Sequence, residues 1–592
     1  MHWRQHSAEK LFSLGGGGFR PHRTAWNGPG SPLKKSASVF AVGCQFSTPV
    51  AGPIARLRPL KTSRPMLQAV AGILLLIISL PLSFYSSRRY NEKRYVVDAA
   101  SCRMNLLAVQ RADLPQADGG DVVLFHGISA NALIMQYLAR ALAELGLRVY
   151  LSDLPGHGHS PGPFTPVQAE ACSGSLLRGL AARGMILPER TIVAGHSMGA
   201  AIALRVAEKF RPAGVIAISP APMDPTTGVA PENLLFHGLP HIIPNTRILV
   251  GQFEPFGIKI AARELATSSH DPSVLFSVVP WNSHVSVLFS PTVAIACQAW
   301  AARVLKLPET TRLPSRANLL ACPLGILGIV LVAGPFLRDL VGKKPHRDLA
   351  SAPAAPWWRA VLEIILLTLA VVFLLRYWLP LRFLHLFEGD YLASFFLIAG
   401  LLLAAIHFRA TGAQFIVSPS STAPASLPQD RAQTADAPPA PATRGSLFAA
   451  VIGSAFAALL LHFLVTSWFE LTASSAWLTL ERWIRFPVFF LAAFCFLFAL
   501  ELLAGPVERP YPRYIFWILL IALAWHSLAL GVMHLHSGEI LLVLLSPYFA
   551  LHFLLAGLGI QLVRRLTGSA TAAAVFGAIL LAGFCLVLFP VS

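Results

Sequence analysis

Thr191-Ile192-Val193-Ala194-Gly195-His196-Ser197-Met198-Gly199 joins an apolar run to a helical pattern that continues through Ala200-Ala201-Ile202-Ala203-Leu204-Arg205-Val206-Ala207. Strand, tight turn and helix, in that order, are the setting in which G-x-S-x-G puts a serine on a sharp turn with its hydroxyl exposed. The small residues at 195 and 199 let the turn close. Residue types this common carry little weight alone, so the reading depends on the flanking sequence.

On either side, residues 87–317 alternate strand-like and helical patterns. Strands are expected at 95–99, 105–109, 121–125, 148–152, 191–194, 214–219, 246–250 and 274–279. Helices are expected at 132–145, 166–184, 197–210, 257–267 and 290–305. Repeated βα units imply a mostly parallel sheet with helices on both faces. Active groups on such a sheet gather at the carboxyl ends of the strands. Five segments fall there: His126-Gly127-Ile128, Asp153-Leu154-Pro155-Gly156-His157-Gly158-His159-Ser160, the turn at Ser197, Gly251-Gln252-Phe253-Glu254, and Asn282-Ser283-His284.

An HG turn, a D-x-x-G-H-G-x-S loop and a G-H-S-M-G elbow in this order resemble the α/β-hydrolase superfamily. Within it they resemble the monoacylglycerol lipase and serine aminopeptidase-like group. The resemblance covers residues 95–305 and implies an α/β-hydrolase fold with serine chemistry. Ser197 is then the nucleophile, which needs a base. His284 is the implied base, and an acid must orient it. Glu254 is the first choice for that acid, because Val250-Gly251-Gln252-Phe253-Glu254 is similar to the family's V-G-x-x-D. Asp224 is the alternative. Backbone N–H groups of Ile128 and Met198 are the implied oxyanion hole. His126, His157 and His159 read as structural residues of their turns, and His196 as a packing residue. Only 220–245 separate the sixth strand from the Glu254 strand, so any cap is small. No Cys/His spacing supports a metal site, and no cofactor is expected.

Composition places this unit in a membrane protein. Of 592 residues, 55% are hydrophobic and 13% charged, and mean hydropathy is +0.59. The net charge of +18 forms no single patch, so nucleic acid is not an expected partner. Residues 1–65 read as a disordered basic tail: cytoplasmic, targeting, or translated upstream of a start at Met66. Residues 66–86 read as an uncleaved transmembrane anchor. Residues 318–592 read as a bundle of about eight spans, near 319–337, 360–379, 391–408, 447–466, 486–504, 514–533, 540–562 and 572–590. The Ala/Pro/Ser/Thr-rich stretch 409–445 reads as a flexible linker.

With the N-terminus inside, the inner loops of the bundle carry Arg338, Lys343, Lys344, Arg347, Arg359, Arg409, Arg431, Arg444, Arg509, Arg513, Arg564 and Arg565. Its outer loops carry Arg382, Arg482 and Arg485. The positive-inside rule then puts the hydrolase unit on the non-cytoplasmic face of a plasma (inner) membrane. Arg88, Arg89, Lys93 and Arg94, just after the anchor, pull the other way. Three cysteines lie in the soluble part (Cys102, Cys172, Cys297). One disulfide among them fits a non-cytosolic compartment, free buried thiols fit equally, and spacing does not choose a pair. Glu363, Glu501, His407, His462, His526 and His552 lie within or near spans. Arg359 is placed to pair with Glu363.

The expected activity is a membrane-bound serine hydrolase cleaving carboxylic esters through an acyl-enzyme on Ser197. Its expected partners are the membrane and an ester or acyl substrate of lipid type, such as a monoacylglycerol or lysophospholipid. An amidase, peptidase or acyltransferase would use the same triad. A transporter or sensor would keep the unit as a non-catalytic binding domain.

Overall fold

Residues 121–125 are apolar except for Asp121 because this strand, β3 (Asp121–Phe125), is covered on both faces. Successive side chains of a strand point to opposite faces. Val122 and Leu124 join one core cluster, while Val123 and Phe125 join the other. The same alternation holds in β5 (Thr191–His196), where Ile192 and Ala194 face one way and Val193 the other. These strands belong to a computed structural model that describes residues 64–100, 102–114, 119–221, 236, 238, 240–341, 357–379, 382–417, 444–503, 510–535 and 541–592. Residues 1–63 of the basic tail, Asp224 and most of the linker lie outside the described residues.

The eight-stranded sheet has the order β1-β2-β4-β3-β5-β6-β7-β8. β1 (Tyr90–Ala99) and β2 (Cys102–Arg111) form an antiparallel hairpin, and β2 is also antiparallel to β4 (Arg148–Ser152). From β4 onward all neighbours are parallel: β3, β5, β6 (Gly214–Ile218), β7 (Thr246–Gly251) and β8 (Leu275–Val279). The hairpin strands run several residues beyond the expected 95–99 and 105–109. The charged stretch Asn91–Arg94 hides the alternation, because an edge strand has a solvated face. After α1 (Arg64–Ser87), the helices α2 (Gln136–Ala143) and α6 (Pro291–Leu305) cover one face, and α3 (Pro166–Ala182) and α4 (Met198–Phe210) cover the other. α5 (Phe256–Ser268) connects β7 to β8. A disulfide joins Cys102 at the start of β2 to Cys172 in α3, and Cys297 is buried and free.

The remaining helices are α7 (Ala317–Val341), α8 (Trp357–Tyr377), α9 (Gly389–Val417), α10 (Arg444–Thr472), α11 (Leu480–Leu503), α12 (Pro510–Leu535), α13 (Leu541–Thr567) and α14 (Ala570–Leu588). With α1, nine helices among the described residues are long and apolar enough to cross a membrane. α9 continues past the expected end at 408 to Val417, and the first proline after it is Pro419. α14 is the most enclosed, with 78% of its apolar window buried.

The anchor packs on the first bundle helix through small residues. A Cβ on Gly72 would stand 2.7 Å from the Gly328 carbonyl oxygen, so only glycine permits that crossing. Within the bundle, Arg359 Nε lies 2.7 Å from Glu363 Oε1, and Gln561 Nε2 donates to the buried Glu501 at 3.3 Å. α1, α10 and α14 end against the sheet-bearing unit, and α7 and α11 begin there.

Candidate active site

The turn at Ser197 is built by the strand that precedes it. The Ser197 N–H still bonds Ile218 O at 2.9 Å, extending the β5–β6 ladder. At the same residue φ becomes +53, and the Ser197 carbonyl accepts from Ala200 and Ala201 to start α4. A serine in that region is strained, which lifts its side chain clear of the strand end. Gly195 is obligatory, since a Cβ there would lie 2.1 Å from Gly199 O.

The structure brings together three of the residues expected from sequence. His284 Nε2 lies 3.0 Å from Ser197 Oγ, and His284 Nδ1 lies 2.7 Å from Glu254 Oε2. All three are buried. A carboxylate only accepts, so Nδ1–H donates to Glu254 and Nε2 is left to accept from the serine hydroxyl. Burial pushes the Glu254 carboxyl up. The hydrogen bond and charge of His284, together with the Ser219 hydroxyl, outweigh it and hold the group below its ordinary value. Glu254 Oε1 accepts that hydroxyl. The loops are tied as well: Phe253 N donates to Asn282 O at 2.8 Å, and His196 Nε2 donates to the backbone oxygen of His284 at 2.7 Å. Burial lowers His196 to about 3, so it is a neutral prop.

Ile128 lies in the loop after β3, half-buried, and Met198 is the first residue of α4. A Cβ on Gly127 would stand 3.1 Å from Ser197 Cβ, so this loop passes directly against the turn. His126 donates through Nδ1 to Gly127 O at 2.7 Å and accepts from Leu154 N at 3.0 Å, which ties the loops after β3 and β4. Burial keeps it below its ordinary value. Asp153 is equally internal, accepting from Ala132 N at 2.7 Å and His159 N at 3.0 Å.

Sequence reading missed Ser219, His196 in its supporting role, and the whole bundle side of the site. Asn131, three residues after Ile128, donates to Ser474 Oγ at 2.8 Å and Ser475 O at 3.1 Å, and accepts from Ser475 N at 3.1 Å. His159 Nε2 lies 2.9 Å from Glu470 Oε1, and Arg482 donates to Gly156 O at 3.0 Å. Phe164 N donates to Val591 O at 2.6 Å. Only the location of Ser219 and His196 beside strand ends marks them in sequence; the bundle partners are hundreds of residues away. Among the described residues, no group of three His, Cys, Asp or Glu is arranged to hold a metal ion.

The sequence model of a family described as "Serine aminopeptidase, S33" matches residues 116–278. The chain is 32% identical over 95 residues to Esterase YjfP of Escherichia coli (strain K12), which is 14% of this chain and 38% of that protein. It is 35% identical over 122 residues to the pimeloyl-[acyl-carrier protein] methyl ester esterase of Aeromonas hydrophila subsp. hydrophila, which is 20% of this chain and 45% of that protein. The chain thus spans less than half the length of these curated relatives. Among solved structures it is similar to a lidless α/β serine hydrolase of Xanthomonas campestris, with TM-score 0.30, 17% identity, and coverage of 37% of this chain and 97% of that one. It is also similar to a membrane phospholipase A, with TM-score 0.30, 17% identity, and coverage of 40% and 93%. Sheet order and motif order agree with that match: the unit has an α/β-hydrolase fold, and residues 116–278 are similar to the serine aminopeptidase, S33, family.

Proposed function

We propose that this protein is a membrane-bound serine hydrolase that cleaves carboxylic esters through an acyl-enzyme on Ser197. The observation that carries the reading is the buried line Ser197 Oγ, His284, Glu254, with separations of 3.0 and 2.7 Å. In the reaction, the Ser197 proton passes to His284 Nε2 as the oxygen attacks the acyl carbon. N–H groups of Met198 and Ile128 hold the oxyanion. Glu254 stays ionised and fixes the imidazole tautomer. The alcohol leaves with the proton from His284, and water then releases the acid by the same route. Glu254 is chosen over Asp224 because its carboxylate is hydrogen-bonded to the histidine.

The substrate in this reading is lipid-like, of the monoacylglycerol or lysophospholipid type. Its support is the nine apolar helices among the described residues and the seating of the loops after β3 and β4 on the bundle ends. Residues 87–317 act as the hydrolase unit between the anchor at 66–86 and the bundle at 318–592. The unit faces the non-cytoplasmic side of the plasma membrane. Basic residues concentrated at the opposite helix ends support that orientation, as does the Cys102–Cys172 disulfide, which suits an oxidising compartment.

A fluorophosphonate probe tests the reading. The full chain is expected to label, and Ser197→Ala to lose the label. A folded wild-type protein that does not label refutes the enzyme and favours a binding domain. Labelling of whole cells by an impermeant probe reports the face, and paired ester and amide substrates separate an esterase from a peptidase.

A further inference from the structure

Three large aromatic side chains stand in solvent at the β7–β8 end of the active-site edge. Phe253 is 56% exposed, Phe256 75% and Trp281 82%. Phe253 lies in the loop after β7, Phe256 opens α5, and Trp281 lies in the loop after β8. Phe253 and Trp281 meet edge to face with ring centroids 6.0 Å apart. Trp281 also has φ +59, a region that costs a bulky residue about 1–3 kcal/mol. An indole this exposed recovers little of that cost inside the chain.

The other end of the same edge says what lies beside these rings. The loops after β3 and β4 rest on residues 470–482 and on Val591, at the ends of α10, α11 and α14. The carboxyl ends of the parallel strands therefore point toward the membrane-spanning bundle. β8 is four strand positions from β3, about 19 Å sideways at ordinary spacing. At that distance the three rings stay exposed rather than covered by the bundle, whose helices the headgroup layer surrounds. Exposed Trp and Phe are the side chains that settle at that depth. Lys259 Nζ donates to Gln252 O at 3.2 Å and sets a cation beside the rings, as anionic headgroups favour.

We propose that Phe253, Phe256 and Trp281 form a lipid-contact surface that enters the headgroup layer beside the bundle. It holds the loops of Glu254 and His284 against the bilayer. The contact itself is independent of catalysis. Its consequence, that the ester arrives from the bilayer rather than from water, rests on the hydrolase reading above.

The test uses the full chain in nanodiscs of phosphatidylethanolamine and phosphatidylglycerol. An environment-sensitive fluorophore is placed through an encoded side chain at position 281, or at the exposed Leu187 on the opposite edge as a control. Emission at 281 is expected to shift blue and to be quenched by tail-brominated lipid, with neither effect at 187. Equal, unquenched emission at both positions overturns the surface even if the protein proves to be inactive. In a second arm, Phe256→Ser and Trp281→Ser are combined. Turnover of a bilayer-borne monoacylglycerol is expected to fall about tenfold or more, with turnover of a short soluble ester unchanged. Full retention on the bilayer-borne ester, or equal loss on both, overturns the role in substrate delivery. No soluble-ester turnover by the wild type refutes the hydrolase instead.

Discussion

The loop after β4 and the loop after β8 leave the same edge of one sheet into different surroundings. The first is enclosed: Asp153 accepts two backbone N–H groups, His157 is buried, and Gly156 is held by Arg482 and Val591. The second carries His284 on its buried side and leaves Trp281 open to solvent. The loop after β3 follows the first pattern and the loop after β7 the second. In the proposed mechanism, the loop after β3, braced by the loop after β4, positions the Ile128 N–H for the oxyanion, which must not move. The open pair supplies the proton relay and meets the lipid. The bundle therefore works as a rigid wall for half of the site and leaves the other half accessible.

The comparison breaks most directly if the open half does not supply the chemistry. Ser197→Ala and His284→Ala are each expected to reduce kcat on a short ester about 10⁴-fold or more, with the double variant little worse than either. Glu254→Gln keeps the shape but not the tautomer, and is expected to cost about 10³- to 10⁴-fold in kcat with KM little changed. Ester kinetics on the detergent-solubilised full chain measure both. If Glu254→Gln is near neutral, Asp224 returns as the acid.

The enclosed half is broken through stability and placement. The disulfide ties β2 to α3 across a sequence separation of 70 residues. Cys102→Ser with Cys172→Ser is expected to destabilise the hydrolase unit by about 2–4 kcal/mol, seen as a lower midpoint in thermal or denaturant unfolding. Asn131→Ala leaves the backbone N–H and C=O of Ser475 without their partner and frees the loop carrying Ile128. A loss of about 1–3 kcal/mol is expected, read as roughly 10- to 100-fold in kcat rather than in KM. An unchanged kcat in Asn131→Ala would show that the bundle merely adjoins the site.

What could be read in the chain follows the range of the interactions. The turn at Ser197, the strands at 121–125 and 191–194 and the apolar spans are local patterns, set by side-chain period and turn chemistry. His284 and Glu254 were legible as residues following late strands, because parallel βα order dictates where such residues gather. The Cys102–Cys172 pairing was not, since three cysteines leave the partner open without coordinates. Nor was the clamp on Asn131, whose partners Ser474 and Ser475 lie more than 340 residues away in a loop of no special composition. The β1–β2 hairpin was only half legible, because its solvated face replaces alternation with charge.

The smallest effect tests the seam between the loop after β4 and the bundle by pH. His159 is raised above the ordinary imidazole value by its hydrogen bond to Glu470, against the opposing effect of burial. Glu470 Oε1 also meets Arg94 at 3.0 Å, and the Asp153 carboxylate adds its charge on the His159 side. A folded-state value above the unfolded one makes the contribution complete below about pH 6.5. It is lost as pH rises through the folded value. His159→Ala is therefore expected to destabilise the protein by no more than about 1 kcal/mol near pH 5.5, and to match the wild type near pH 9. Arg94 keeps Glu470 partnered throughout, which is why the effect stays small. Thermal unfolding of both proteins at the two pH values measures it, and a deficit that grows toward alkaline pH would show that the imidazole holds this seam by packing rather than by charge.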